Sequence, residues 1–97
     1  MIVLVAKYTC KPGNRSKVLE QLKKMSPLVA STEPGCKLYQ ASISTENENL
    51  ILLYEHYVDQ DALAAHRETP HFKEIIEGTV IPMLENRARE LYELAVS

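Results

Sequence analysis

Two short runs in this chain are apolar on both of the faces that a β-strand presents. In the first, Ile2 and Leu4 point to one side and Val3 and Val5 to the other; in the second, Leu50 and Leu52 oppose Ile51 and Leu53. Strands of that kind need cover above and below. With 97 residues the chain supports one domain, residues 1–97, with one modest core. The cover must therefore come from very few further elements.

Those elements can be read from periodicity. Residues 2–10 are rich in β-branched and aromatic side chains and stop at Pro12-Gly13, which reads as a strand ending in a turn. Asn14 can cap a helix in which Val18, Leu22, Met25 and Val29 form one stripe, widened by Leu19, with a kink or slipped turn expected before Pro27. Residues 36–44 alternate again, residues 45–49 are a polar tip, and residues 50–57 complete a hairpin. Asp59 or Asp61 can cap a helix carrying Leu63 and His66, and Thr69-Pro70 opens a second helical piece with Phe72, Ile75, Ile76, Val80, Met83 and Leu84, loosened at Gly78 and Pro82. A last strand is expected at about residues 87–96.

Strand, helix, strand, strand, helix, strand is the split βαβ order of the ferredoxin-like α+β fold, a four-stranded antiparallel sheet with its helices on one face. The second face then has no cover from its own chain, and a homodimer packed sheet against sheet supplies it.

Eleven Lys and Arg against thirteen Asp and Glu give a net charge of -2, so there is no basic footprint for nucleic acid. No apolar run is long enough to cross a bilayer, and the chain is expected to be cytoplasmic, with Cys10 and Cys36 as free thiols. No CxxC, HExxH, GxGxxG or GxxxxGK[ST] motif occurs. His66 and His71 stand five apart across a Thr-Pro break with no third ligand at a recognisable spacing, so no metal site is expected.

The stretch over residues 52–72, Leu-Leu-Tyr-Glu-His-Tyr-Val-Asp-Gln-Asp-Ala-Leu-Ala-Ala-His-Arg-Glu-Thr-Pro-His-Phe, joins a strand ending in Glu-x-aromatic to an acidic cap, Ala-x-x-His and Thr-Pro-His-Phe. With Lys11-Pro12-Gly13 and Glu33-Pro34-Gly35-Cys36, it resembles the antibiotic biosynthesis monooxygenase domain family, the small quinol monooxygenase-like proteins. The resemblance implies a dimeric α+β barrel that oxidises a quinol or phenol with molecular oxygen and uses no cofactor. A haem-degrading branch of the family places its iron ligand near Ile76, where this chain has no histidine. Another branch, similar in Tyr57-x-Asp59-x-Asp61-Ala62, looks like the isomerase of a phosphorylated quorum-sensing sugar, and cations converging on the pocket, such as Lys7 or Arg67, would favour that activity. A dimeric ligand-binding protein without turnover is the remaining alternative.

The candidate site residues follow. On the third strand Ile51, Leu53, Glu55 and Tyr57 share a face, and the more evenly apolar set Leu50, Leu52 and Tyr54 is expected to meet the helices. Glu55 would then point to the other side, either to position or deprotonate a phenol or to pair with Arg87, Arg89 or a partner subunit. His66, on a helix of alanines, is expected to project toward an opening as a partly exposed general base. Tyr57 takes the place of a tryptophan common in relatives and could stack on a flat substrate. Leu53, His71 and Phe72 are the other expected pocket residues, and His56 is left out because it points the opposite way.

Overall fold

The computed structural model describes all of residues 1–97. β1 (Ile2–Cys10), α1 (Arg15–Thr32), β2 (Cys36–Ile43), β3 (Leu50–Tyr57), α2 (Gln60–Glu68), a π-helical stretch (Phe72–Val80), a short 3-10 turn (Ile81–Met83) and β4 (Leu84–Glu93) follow in order. The sheet is antiparallel with strand order β2-β3-β1-β4, so the two central strands are the two with apolar side chains on both faces. This is the ferredoxin-like α+β arrangement expected from the element order.

Each element ends for a local reason. β1 stops at a turn in which Gly13 takes φ of 84°, a left-handed conformation that a side chain would strain. Asn14 sits at the start of α1 but its side chain makes no capping bond; its backbone carbonyl accepts from the Val18 N–H instead. α1 runs through Pro27 to Thr32, and the stripe Val18, Leu22, Met25 and Val29 is buried as its spacing requires. Asp59 caps α2 by accepting from the Ala62 N–H at 2.8 Å. Thr69 then joins two segments, donating to the His66 carbonyl at 2.7 Å and accepting from the Phe72 N–H at 3.2 Å.

Two expectations of the helical region are corrected. The stretch after Thr69 is wider than an α-helix: the Ile81 N–H bonds to the carbonyl of Ile76, five residues back. Pro82 lacks the donor that a regular turn would use there, and Gly78 makes the backbone easy to widen. Leu84, expected on this helix, instead opens β4, which runs three residues earlier than expected at both ends. Cys10 pairs with Leu84 past a bulge, and because β1 begins at Ile2 the last residues of the chain have no strand to pair with beyond Glu93.

The core lies between one sheet face and the helices. Leu4, Ala6 and Tyr8 of β1, and Ile51, Leu53 and Tyr57 of β3, pack on Val18, Leu22, Met25, Val29, Leu63, Ile76 and Val80. Val3, Val5, Leu50, Leu52, Tyr54 and His56 face the other way, outside this cluster.

Candidate active site

A cavity of about 300 Å³ opens between the helix-facing side of the sheet and the pair formed by α2 and the π-helical stretch. Leu4, Ala6 and Tyr8 form its floor with Glu55; Leu63, His66, Arg67, Phe72 and Ile76 face them; Tyr39 closes one side and Arg87 and Arg89 the other.

The local chain path brings an acid and a base together here. Glu33 ends α1, and Pro34-Gly35 turns the chain at once into β2. At Gly35 a Cβ would lie 2.6 Å from the Cβ of Ala62, so α2 rests directly on this turn. His66 lies one helical turn beyond Ala62 on the same face, which puts its ring over Glu33. His66 Nδ1 meets Glu33 Oε1 at 2.7 Å, and His71 Nε2 meets Glu33 Oε2 at 2.6 Å. A carboxylate accepts and does not donate, so both ring nitrogens facing it carry hydrogen. That leaves His66 Nε2 as an acceptor, 4.0 Å from Glu55 Oε1. The Tyr57 hydroxyl donates to the same Glu55 oxygen at 2.5 Å. Phe72 meets the His66 ring edge-on at 5.1 Å, with Tyr57 and Tyr39 at 5.4 and 6.0 Å.

Burial dominates the electrostatics. It pushes the Glu55 carboxyl from 4.5 up to about 7, opposed by the bond from Tyr57 and reinforced by the charge of Glu33. Burial lowers His66 below the usual imidazole value, although Glu33 pulls it back up. Tyr8 is pushed up to about 12, chiefly by burial, and Tyr39 and Tyr57 are also raised by burial and by the charge of Glu55. Burial therefore inverts the usual order of proton affinity between imidazole and carboxyl, and the 4.0 Å between them is a gap that one bridging hydroxyl or water spans.

The structure places the expected residues unevenly. Glu55 points toward the helices and not away from them: Ile51, Leu53, Glu55 and Tyr57 are the buried set of β3, with Glu55 itself 4% exposed. Evenness of apolar character misjudged the face because the one polar member is held by a buried hydroxyl. Neither Arg87 nor Arg89 pairs with Glu55. His66 lines the cavity but is 3% exposed, not partly open. Phe72 lines the cavity; Leu53 and Tyr57 are core residues that do not reach it, and Tyr57 holds Glu55 from behind. His71 lies outside the cavity, tied to Glu33. His56 faces the other side of the sheet, its Nε2 buried without a partner.

Sequence reasoning missed Glu33 as a site residue because it read as the entry to a turn. It also missed Tyr8 and Tyr39 as lining residues, and the cavity role of Arg87 and Arg89, whose alternate spacing on a strand was the available signal. No group of three His, Cys, Asp or Glu side chains is arranged to hold a metal ion, and no helix is long and apolar enough to cross a membrane.

Comparison with solved structures gives close matches. A Caulobacter crescentus protein ascribed to the antibiotic biosynthesis monooxygenases is 25% identical, with a TM-score of 0.91 over 98% of this chain and 90% of that one. A conserved protein from Methanosarcina mazei Go1 is 26% identical, with a TM-score of 0.86 over 94% and 89% of the two chains. A conserved protein of unknown function from Bacteroides thetaiotaomicron is 25% identical, with a TM-score of 0.87 over 96% of each. No curated protein matches the chain. The family model described as antibiotic biosynthesis monooxygenase matches residues 1–78, most of the chain and every residue of the Glu33, Glu55, His66 and His71 cluster, and the protein belongs to that family.

Proposed function

We propose that the protein oxidises a quinol-like or phenolic aromatic with molecular oxygen, the substrate anion itself serving as reductant without metal or flavin. The observation that carries this reading is the buried relay: an imidazole with Nδ1–H tied to Glu33 and Nε2 free toward the cavity, beside a carboxyl lifted to about 7. His66 Nε2 takes the phenolic proton, and Glu33 stabilises the imidazolium that forms. Glu55, aligned by Tyr57, carries the proton onward. The electron-rich anion passes an electron to oxygen held in the apolar part of the cavity, and the two radicals combine at a ring carbon. One oxygen atom replaces the hydrogen of that carbon, the other leaves as water, and a quinol becomes a hydroxyquinone.

The functional unit in this reading is a homodimer closed through the second sheet face. The test is oxygen uptake against a panel of quinols, with labelled dioxygen to follow the inserted atom. His66→Ala is expected to lower turnover by about 10²–10⁴. Of the cations that would favour the isomerase, Arg67 lines the cavity and Lys7 does not, and consumption of a phosphorylated sugar without oxygen uptake would overturn oxidation in favour of isomerisation.

A further inference from the structure

The same cavity has a second chemical end. Arg87 and Arg89 alternate on β4, so both point to the helix side of the sheet, opposite Tyr8 and Ala6 of the cavity floor. Arg67 follows His66 on α2 and lines the cavity from above. None of the three guanidiniums has a carboxylate within ion-pair distance, although acidic residues outnumber basic ones in this chain, thirteen to eleven. The charged side chains facing the cavity are these three arginines and Glu55, so a net acidic protein presents a net positive pocket.

Position makes this more than a charged rim. Glu55 on β3 stands opposite Leu4 of β1, while Arg89 and Arg87 on β4 stand opposite Ala6 and Tyr8, so their backbones lie about 12 and about 16 Å from that of Glu55 in the sheet plane. One substituted aromatic ring spans such a gap between side chains reaching in from both strands. The planar fork of a guanidinium matches a carboxylate or phosphate in two parallel hydrogen bonds, a fit that a neutral hydroxyl cannot offer.

We infer that the substrate is a hydroxylated aromatic acid whose anionic oxygen group, carboxylate or phosphate, is held by Arg87 and Arg89 with help from Arg67, while its hydroxyl faces His66 and Glu55. This rests on the proposed oxidation for the role of the hydroxyl end; the acid-binding end stands on the arginines alone.

The test is calorimetric titration of the full chain with three probes: hydroquinone, gentisate (hydroquinone bearing one ring carboxylate) and phenyl phosphate. Gentisate is expected to bind at least about tenfold more tightly than hydroquinone, a preference that shrinks as salt is added. In the double variant Arg87→Gln, Arg89→Gln, both at exposed strand positions, the preference is expected to vanish while hydroquinone affinity holds. Tighter binding of phenyl phosphate than of gentisate supports the anion subsite and assigns it to phosphate. Equal affinities for gentisate and hydroquinone, or a preference that survives the double variant, overturn the inference. A clear anion preference with no oxygen uptake on either quinol supports the subsite and removes only the oxidation reading.

Discussion

Glu55 is a carboxyl in a nearly closed space, with one tyrosine hydroxyl and no cation in contact. Its raised proton affinity has a sign that can be measured. Below pH 4.5 the folded and unfolded chains both hold this proton, and Glu55 adds no pH dependence. Between 4.5 and about 7 the unfolded chain has lost the proton and the folded chain keeps it, so stability falls as pH rises; above about 7 the loss is complete. Its full size is about 3 kcal/mol, an upper figure for a group this buried. Glu55→Gln removes that titration. Chemical denaturation of both proteins from pH 4 to 9 is expected to show the variant gaining relative to the parent across this window and holding its gain above it. His66 works in the opposite direction, since a lowered imidazole value costs stability as pH falls, and it contributes equally to both proteins. A variant whose stability runs parallel to the parent at every pH would mean that Glu55 is ionised in the fold. The residue scale is also where sequence reading was weakest. Glu55 and His66 could be named as a pair, but the direction of Glu55 and the identity of Glu33 as the group holding both histidines depend on a crossing of α2 over a turn that no local pattern encodes.

That crossing belongs to the scale of elements. α2 can approach the turn after Glu33 only because Gly35 has no side chain: the added Cβ would meet the Cβ of Ala62, and neither atom can rotate away. Gly35→Ala is expected to cost about 1–3 kcal/mol by overpacking and to cut turnover by shifting His66 off Glu33. Ala62→Gly in the same chain should restore the contact and much of the rate, which a mere loss of backbone flexibility at Gly35 would not allow. Turnover and thermal midpoint of the two single variants and the double variant check this. Most elements were legible because their signals are local. Apolar runs marked β1 and β3, alternation marked β2, the Val18, Leu22, Met25, Val29 stripe marked α1, and Asp59 and Thr69 marked where helices begin. The π-helical stretch was not legible, since its inward residues Phe72, Ile76 and Val80 recur every four residues, as they would on an α-helix.

At the scale of the molecule, the helices cover one sheet face and leave the other to Val3, Val5, Leu50, Leu52, Tyr54 and His56, with Tyr92 half exposed beside them. His56 adds a buried nitrogen on this face that lacks a partner within its own chain. A second copy of the chain would cover these residues, and sedimentation at micromolar concentration is expected to show a dimer with an interface above about 2,000 Å². A monomer would leave this sheet face without its assigned cover.

Glu33 also sets when in folding the candidate site can exist. Its bond to His66 joins residues 33 apart in sequence and its bond to His71 joins residues 38 apart. Both bonds lie within residues 33–71, and that loop has to close before either forms. The cluster thus forms only with long-range contacts, although the pairing of Ile2 with Glu93 spans more of the chain. Loss of the proposed turnover and loss of helical signal in denaturant should coincide at one midpoint, making that turnover a direct report of the native population.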